Sequence, residues 1–325
     1  MMQAIDNDVL NQVKGALQEE RTVFLCSVIK TYGAASRPVG SLFAYDGENK
    51  LGYISGDYLE EELIAKFSNE AFSVFPHRHT YSKQIPEGVV FSGPVCCGTV
   101  ELLIEKLLPS KQSIAQCDLW LQMLENREAF ERVIDLQTGE TRLEPLTIRS
   151  EREVLFSDDA VHLYYKQVKR MLIVGISQVS LCLARLAKMS EYSVQVCDIR
   201  EELSSAWDFD ETQGGVNVIW QDPSSFVKHY ADENSAVVAL AHCPNVDDGA
   251  LVSALHSKAF YIGAIGSRNN ASKRIKRFEA MPSLKGCDVK RLHGPVGLNI
   301  GSKTPMEIAI SIMAEVISTQ QKCAA

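Results

Sequence analysis

The 325-residue chain contains no apolar run approaching the ~18 residues that a membrane-crossing helix requires. Its opening segment, MMQAIDNDVLNQVKGALQEE, carries acidic groups and lacks the basic-then-apolar order of a secretory signal. Basic residues are not in excess: 33 Lys and Arg against 41 Asp and Glu leave a net charge of −8. That balance excludes a general nucleic-acid or anionic-membrane binder, which needs a basic field. There is no CxxC and no HExxH. The nine cysteines are odd in number and mostly sit inside strand-like runs, so reduced thiols in a cytoplasmic protein are expected rather than a disulfide framework. Internal repeats and low-complexity tracts are also missing. What is present, 46% hydrophobic and 23% charged residues, is the composition of a globular protein, with length enough for two domains.

The two halves have different rhythms. Residues 1–20 predict a helix with apolar spacing at Val9, Leu10, Val13 and Leu17. Strand-like runs follow at 23–31, 40–47 and 50–56, then an amphipathic helix at 59–70, strands in FSVFPHRH, TVELLIEK and FERVIDL, and a helix near 112–126. Without regular strand–helix alternation, residues 1–147 read as an α+β domain. The charged stretch 148–168 reads as a linker. From residue 169 to 325, short Val/Ile runs alternate with helical segments: RMLIVG, SVQVCDIR, VNVIW, SAVVALAH, KAFYIGAIG and VKRLHG. Strands buried on both faces in this pattern predict a doubly wound, Rossmann-like parallel sheet, with a ligand site at the strand C-termini.

Four turns at those strand ends are candidates. Gly175-Ile176-Ser177-Gln178-Val179-Ser180 keeps only the first glycine of a G-x-G-x-x-G loop, while Asp198, about 20 residues on, stands where a ribose acceptor belongs. Nucleotide binding and a scaffold that retains only the shape are both open here, so NAD(P) is a possible ligand. Gly294 to Pro305 holds Gly297, Gly301 and Lys303 ahead of a capping box formed by Thr304 and Glu307, an anion-receptive arrangement or a tight unliganded turn. Gly266, Ser267 and Arg268 could grip a phosphate, unless Asn269 merely caps the helix. His242 ends a strand facing the same crevice, where acid/base work or a structural hydrogen bond would suit it; Asp247 reads as a helix cap. In the first half, Arg37 and the turn at Gly56 could hold an anion, and Cys96 could be a sulfur-handling thiol. His77 and His79 share a strand face but no third ligand joins them, so no metal is expected.

These motifs in this order resemble the XdhC/CoxI family of molybdenum hydroxylase maturation factors. The resemblance runs through TYGAASRPVGSLFAYDG, GYISGDYLEEELI, CCGTVELLIEKL, AFYIGAIGSRNNASKR and GPVGLNIGSKTPMEIAISIMAEVI, nearly the whole chain. It implies a protein that binds molybdenum cofactor, assists its sulfuration or insertion, and delivers it to a molybdenum hydroxylase apoenzyme. A cysteine desulfurase would be a second partner, and a homo-oligomer is expected. The chain departs from the family pattern at Asp57-Tyr58, Cys97, Ile176-Ser177 and Asn299, which marks a divergent member.

Overall fold

A computed structural model describes residues 4–33, 37–55, 58–82, 99–146, 153–210 and 215–324. The chain divides into two compact units, Met1–Gln167 and Val168–Ala325. Among the described residues, no helix is long and apolar enough to cross a membrane.

The first unit contains α1 (Ala4–Gln18), β1 (Val23–Tyr32), β2 (Leu42–Tyr45), β3 (Lys50–Gly52), α2 (Tyr58–Ser68), β4 (His77–Ser82), β5 (Thr99–Leu107), α3 (Lys111–Glu125), β6 (Phe130–Asp135), β7 (Thr141–Pro145), β8 (Val154–Phe156) and β9 (Ala160–Tyr165). Its strands form two antiparallel sheets, β3-β2-β1-β5-β4 and β7-β6-β9-β8. As the apolar spacing predicts, Val9, Leu10, Val13 and Leu17 of α1 are buried, packing in one core with Val23 and Leu25 of β1 and with Trp120 of α3. Within the stretch expected as a linker, the described residues from 153 on supply strands β8 and β9 instead. Along β9, Val161, Leu163 and Tyr165 are buried while the residues between them are half-buried. The charged flank SDD hides this two-residue period in the sequence.

A buried ion pair joins the two sheets. Arg132 on β6 donates from both terminal nitrogens to Glu105 on β5, at 2.9 and 2.6 Å, and its guanidinium lies 4.5 Å from the centre of the Trp120 ring. Both side chains are almost completely buried. With so little of either charge exposed to water, each depends on the other.

The second unit contains β10 (Arg170–Val174), α4 (Gln178–Met189), β11 (Ser193–Asp198), β12 (Val218–Trp220), α5 (Pro223–Tyr230), β13 (Ser235–Ala239), α6 (Pro244–His256), β14 (Tyr261–Ala264), α7 (Arg268–Glu279), β15 (Leu292–His293) and α8 (Pro305–Ala324). All six strands are parallel, in the order β12-β11-β10-β13-β14-β15. Counted within the unit this is 3-2-1-4-5-6, the order of the dinucleotide-binding doubly wound fold. Residues of alternate parity cover opposite faces: Leu172, Val237 and Ile262 pack with Phe226 and Leu251, whereas Met171, Val238 and Tyr261 pack with Leu183 and Ile312. The run VKRLHG is strand only at Leu292–His293, since Val289–Arg291 winds into a 3₁₀ turn.

Glu105→Ala strands the buried Arg132 charge and is expected to destabilise the first unit by about 3–5 kcal/mol, measured by urea unfolding. A loss below about 1 kcal/mol, the size of an exposed pair, would contradict the assignment.

Candidate functional site

Parallel strands deliver every βα turn of the second unit to one edge of the sheet, so the four sequence-predicted turns meet there. At the end of β10, Gly175 has φ +96°, and a Cβ on it would lie 2.3 Å from the Ala241 Cα. Only glycine permits that approach. Ser177 caps α4 in an extended conformation, its Oγ accepting from the Ser180 N–H at 3.1 Å. The Ser180 hydroxyl donates to the Gly175 carbonyl at 2.5 Å. The serines that replace two fingerprint glycines therefore brace this turn internally.

Asp198 lies where the ribose acceptor was expected, but its carboxylate is filled. It accepts from the Ile176 N–H at 2.6 Å and from the Arg200 N–H, Nε and a terminal nitrogen at 3.0, 2.9 and 2.7 Å. Burial opposes its ionisation, but the Arg200 guanidinium and the two amides outweigh that and hold its carboxyl below the usual value. Arg200 also reaches the Ala241 carbonyl, at 3.5 Å. A ribose hydroxyl would have to displace a guanidinium to reach Asp198.

His242 follows β13 with φ +56°, a left-handed conformation uncommon outside glycine, and its exposed side chain bonds to no described residue. The cap of α6 is Cys243 rather than Asp247, because Pro244 fixes the first helical position. Asp247 is instead fully buried beneath the turn, where one oxygen accepts from the Ala241 N–H at 3.0 Å. Burial pushes its carboxyl up.

After β14, the cap of α7 is Ser267, whose Oγ accepts from the Asn270 N–H at 3.2 Å; Asn269 does not fill that role. Gly266 precedes it in the turn. Arg268 is exposed and pairs with no described residue. Arg274, one and a half turns into α7, supports this turn from below: it donates to the Ile265 carbonyl at 3.2 Å and to Asp248 at 3.1 Å. Sequence reading missed both Arg200 and Arg274. A carboxylate two residues before Arg200 was a usable signal for the first; Arg274 lay in a basic run that reads as a solvated face.

The loop after β15 presses onto α8. A Cβ on Gly297 would meet the Ser311 Oγ at 2.4 Å, and the Gly297 N–H donates to Glu315 at 2.7 Å. Gly301 and Lys303 are exposed ahead of the helix. The capping box forms as the sequence indicates: Glu307 accepts from the Lys303 and Thr304 amides at 2.7 and 3.0 Å, and its own N–H donates to the Thr304 Oγ1 at 3.3 Å. A carboxylate thus already occupies the start of α8, leaving the start of α7 as the better anion receptor.

In the first unit, Arg37 is no free anchor. It is buried and donates at 2.7 Å to Asp6 of α1, which also accepts from the Leu42 N–H at 2.9 Å. The two partners lie 31 residues apart, so spacing gave no hint of the pair. Gly56 and Cys96 lie outside the described residues. His77 and His79 flank Phe72; burial and the Lys66 cation push both imidazoles down. The described residues contain no group of three or more His, Cys, Asp or Glu able to hold a metal.

Comparison with known proteins follows the same division. Residues 171–316 match the XdhC Rossmann domain, and residues 16–71 match the XdhC and CoxI family. A Bacillus subtilis protein named as a probable subunit of xanthine dehydrogenase is 24% identical, covering 95% of this chain and 96% of that protein. The Escherichia coli molybdenum cofactor insertion chaperone PaoD is 22% identical, covering 94% and 86%. A Bacillus halodurans crystal structure described as a xanthine dehydrogenase superposes with a TM-score of 0.70 at 19% identity, over 97% of this chain and 96% of that one.

Because the folded state depresses the Asp198 carboxyl, its stabilisation is complete above about pH 4 and is lost as pH falls through the lower folded value. Asp198→Asn should therefore cost roughly 2 kcal/mol at pH 7, a deficit that shrinks on acidification below pH ~4. Denaturant unfolding across pH checks this, and a deficit independent of pH would refute it.

Proposed function

Since the chain belongs to the XdhC and CoxI family, we propose that it is a maturation factor that carries molybdenum cofactor as cargo to a xanthine-dehydrogenase-type apoenzyme. The name of the relative PaoD, an insertion chaperone, supports the cargo; the names of the other two relatives support the class of client. The observation that carries the reading is the division of labour along the sheet edge. The nucleotide subsite is filled by Arg200 on Asp198, whereas Arg268 at the start of α7 is a cation without a partner among the described residues.

The residues fit a phosphate-bearing cargo. The start of α7 offers unpaired backbone amides and a favourable dipole end, and Arg268 adds a bidentate fork. Lys303 adds a second exposed cation in the same unit. The phosphate end of the pterin would be held here, and His242 would contact the ring from the end of β13. Cys243, half-buried at that edge, is the described thiol on hand for the soft metal end of the cargo. Sulfuration would require a sulfur donor, for which a cysteine desulfurase is the partner.

Protein prepared anaerobically from a cofactor-producing host is expected to copurify with a pterin, seen by mass spectrometry, and with molybdenum by elemental analysis. Loss of one charged contact costs about 1.5–3 kcal/mol, so Arg268→Ala should lower occupancy at least tenfold. Unchanged occupancy in Arg268→Ala and Lys303→Ala would remove this placement of the cargo. NAD or NADP at 100 times a dissociation constant would stabilise the protein by about 2.7 kcal/mol. No such thermal shift is expected, because Asp198 is occupied.

A further inference from the structure

The edge of the parallel sheet opposite the glycine turns carries a pairing that the cargo reading does not use. Helix α6 runs back from the strand C-termini and ends at His256, while Cys287 precedes β15 on the same side. The Cys287 Sγ lies 3.3 Å from the His256 Nδ1. A thiol and an imidazole at this separation form a nucleophile–base arrangement, provided that reagents can reach them. They can: His256 is exposed, Cys287 is half-buried, and the neighbouring Gly286 faces open space.

The surroundings hold the base in place. Arg291 donates to the Leu255, Ser257 and Ala259 carbonyls at 3.2, 3.1 and 2.6 Å, tying down the chain on both sides of His256. His256 is the last residue of the 13-residue helix α6, so its backbone is fixed from both sides.

The other five cysteines with described side chains, Cys26, Cys117, Cys182, Cys197 and Cys243, lack this combination. Burial pushes up the thiols of Cys26, Cys117 and Cys197, to about 11 for Cys117 and about 12 for Cys197. Cys182 and Cys243 are half-buried, like Cys287, but no imidazole bonds to either. Exposure alone therefore does not single out Cys287; its base does.

We propose that Cys287 is a modification site for low-molecular-weight disulfides, with His256 as the base. The Cys287 sulfur attacks one sulfur of the disulfide as its proton passes to the His256 Nδ1. A new S–S bond forms to Cys287 and the original S–S bond breaks. The departing sulfur takes the proton back from His256 and leaves as a thiol. Cys287 is oxidised to the mixed disulfide and one half of the reagent is reduced, so the disulfide supplies the whole oxidation.

Oxidised glutathione is the probe, with peptide mass spectrometry of the intact folded protein followed over time. Cys287 should acquire the mixed disulfide at least about tenfold faster than Cys182 and Cys243, and His256→Gln should bring it down to their rate. In urea-unfolded protein the advantage should vanish, an arm that does not depend on how the variant folds. Equal rates for the three cysteines in folded protein would overturn the proposal. So would an undiminished Cys287 rate in a His256→Gln protein with the parent's circular dichroism, or an advantage that survives in urea.

Discussion

The sheet edge that assembles the second unit's turns is organised around one carboxylate. Asp198 has no exposed surface, yet it accepts from the backbone of the β10 turn and from the arginine that follows β11. Arg200 then extends to the carbonyl of Ala241 beyond β13. Three adjacent strand ends are thereby tied through one charge pair, beside the point where Gly175 closely approaches Ala241. The same pair that gives the edge its shape takes away its usual ribose acceptor. A dinucleotide strand order thus supports a surface on which the carboxylate at the ribose-acceptor position is already paired.

Further along the edge, the turns differ in how much binding capacity they retain. The loop before α8 uses its glycine to pack on Ser311, and Glu307 supplies its own anion to the helix start. The turn before α7 has its serine engaged as a cap but leaves Arg268 and the first amides uncommitted. Arg274 holds that turn from beneath without using its outer surface. Rigid support below and free donors above are what a site for an anionic group requires.

The sequence made the architecture readable where the information is local. Buried parallel strands announce themselves as Val/Ile runs, and the Thr304–Glu307 capping box is spelled out by a spacing of three. Strands β8 and β9 escaped because aspartates and a charged flank mask their alternation. For the candidate site, the sequence shows which strand ends the residues occupy but not which of them are already paired. Asp198 was placed correctly at its strand end, whereas its occupation by Arg200 depends on the path of a flexible side chain. In the sequence Arg37 looks available, because its partner Asp6 lies 31 residues away on α1. A motif reports which groups reach an edge; only the tertiary partners decide which of them are still free.

The Asp198–Arg200 pair also sets a threshold for whatever binds nearby. A phosphate or carboxylate seeking Arg200 competes with an anion tethered two residues away, so it faces a rival at a high, fixed effective concentration. A tethered rival cannot be diluted or dialysed away, and weak anions abundant in the cell gain little at that position. Selectivity at the Arg200 position can therefore arise by exclusion, through a contact that involves no ligand at all.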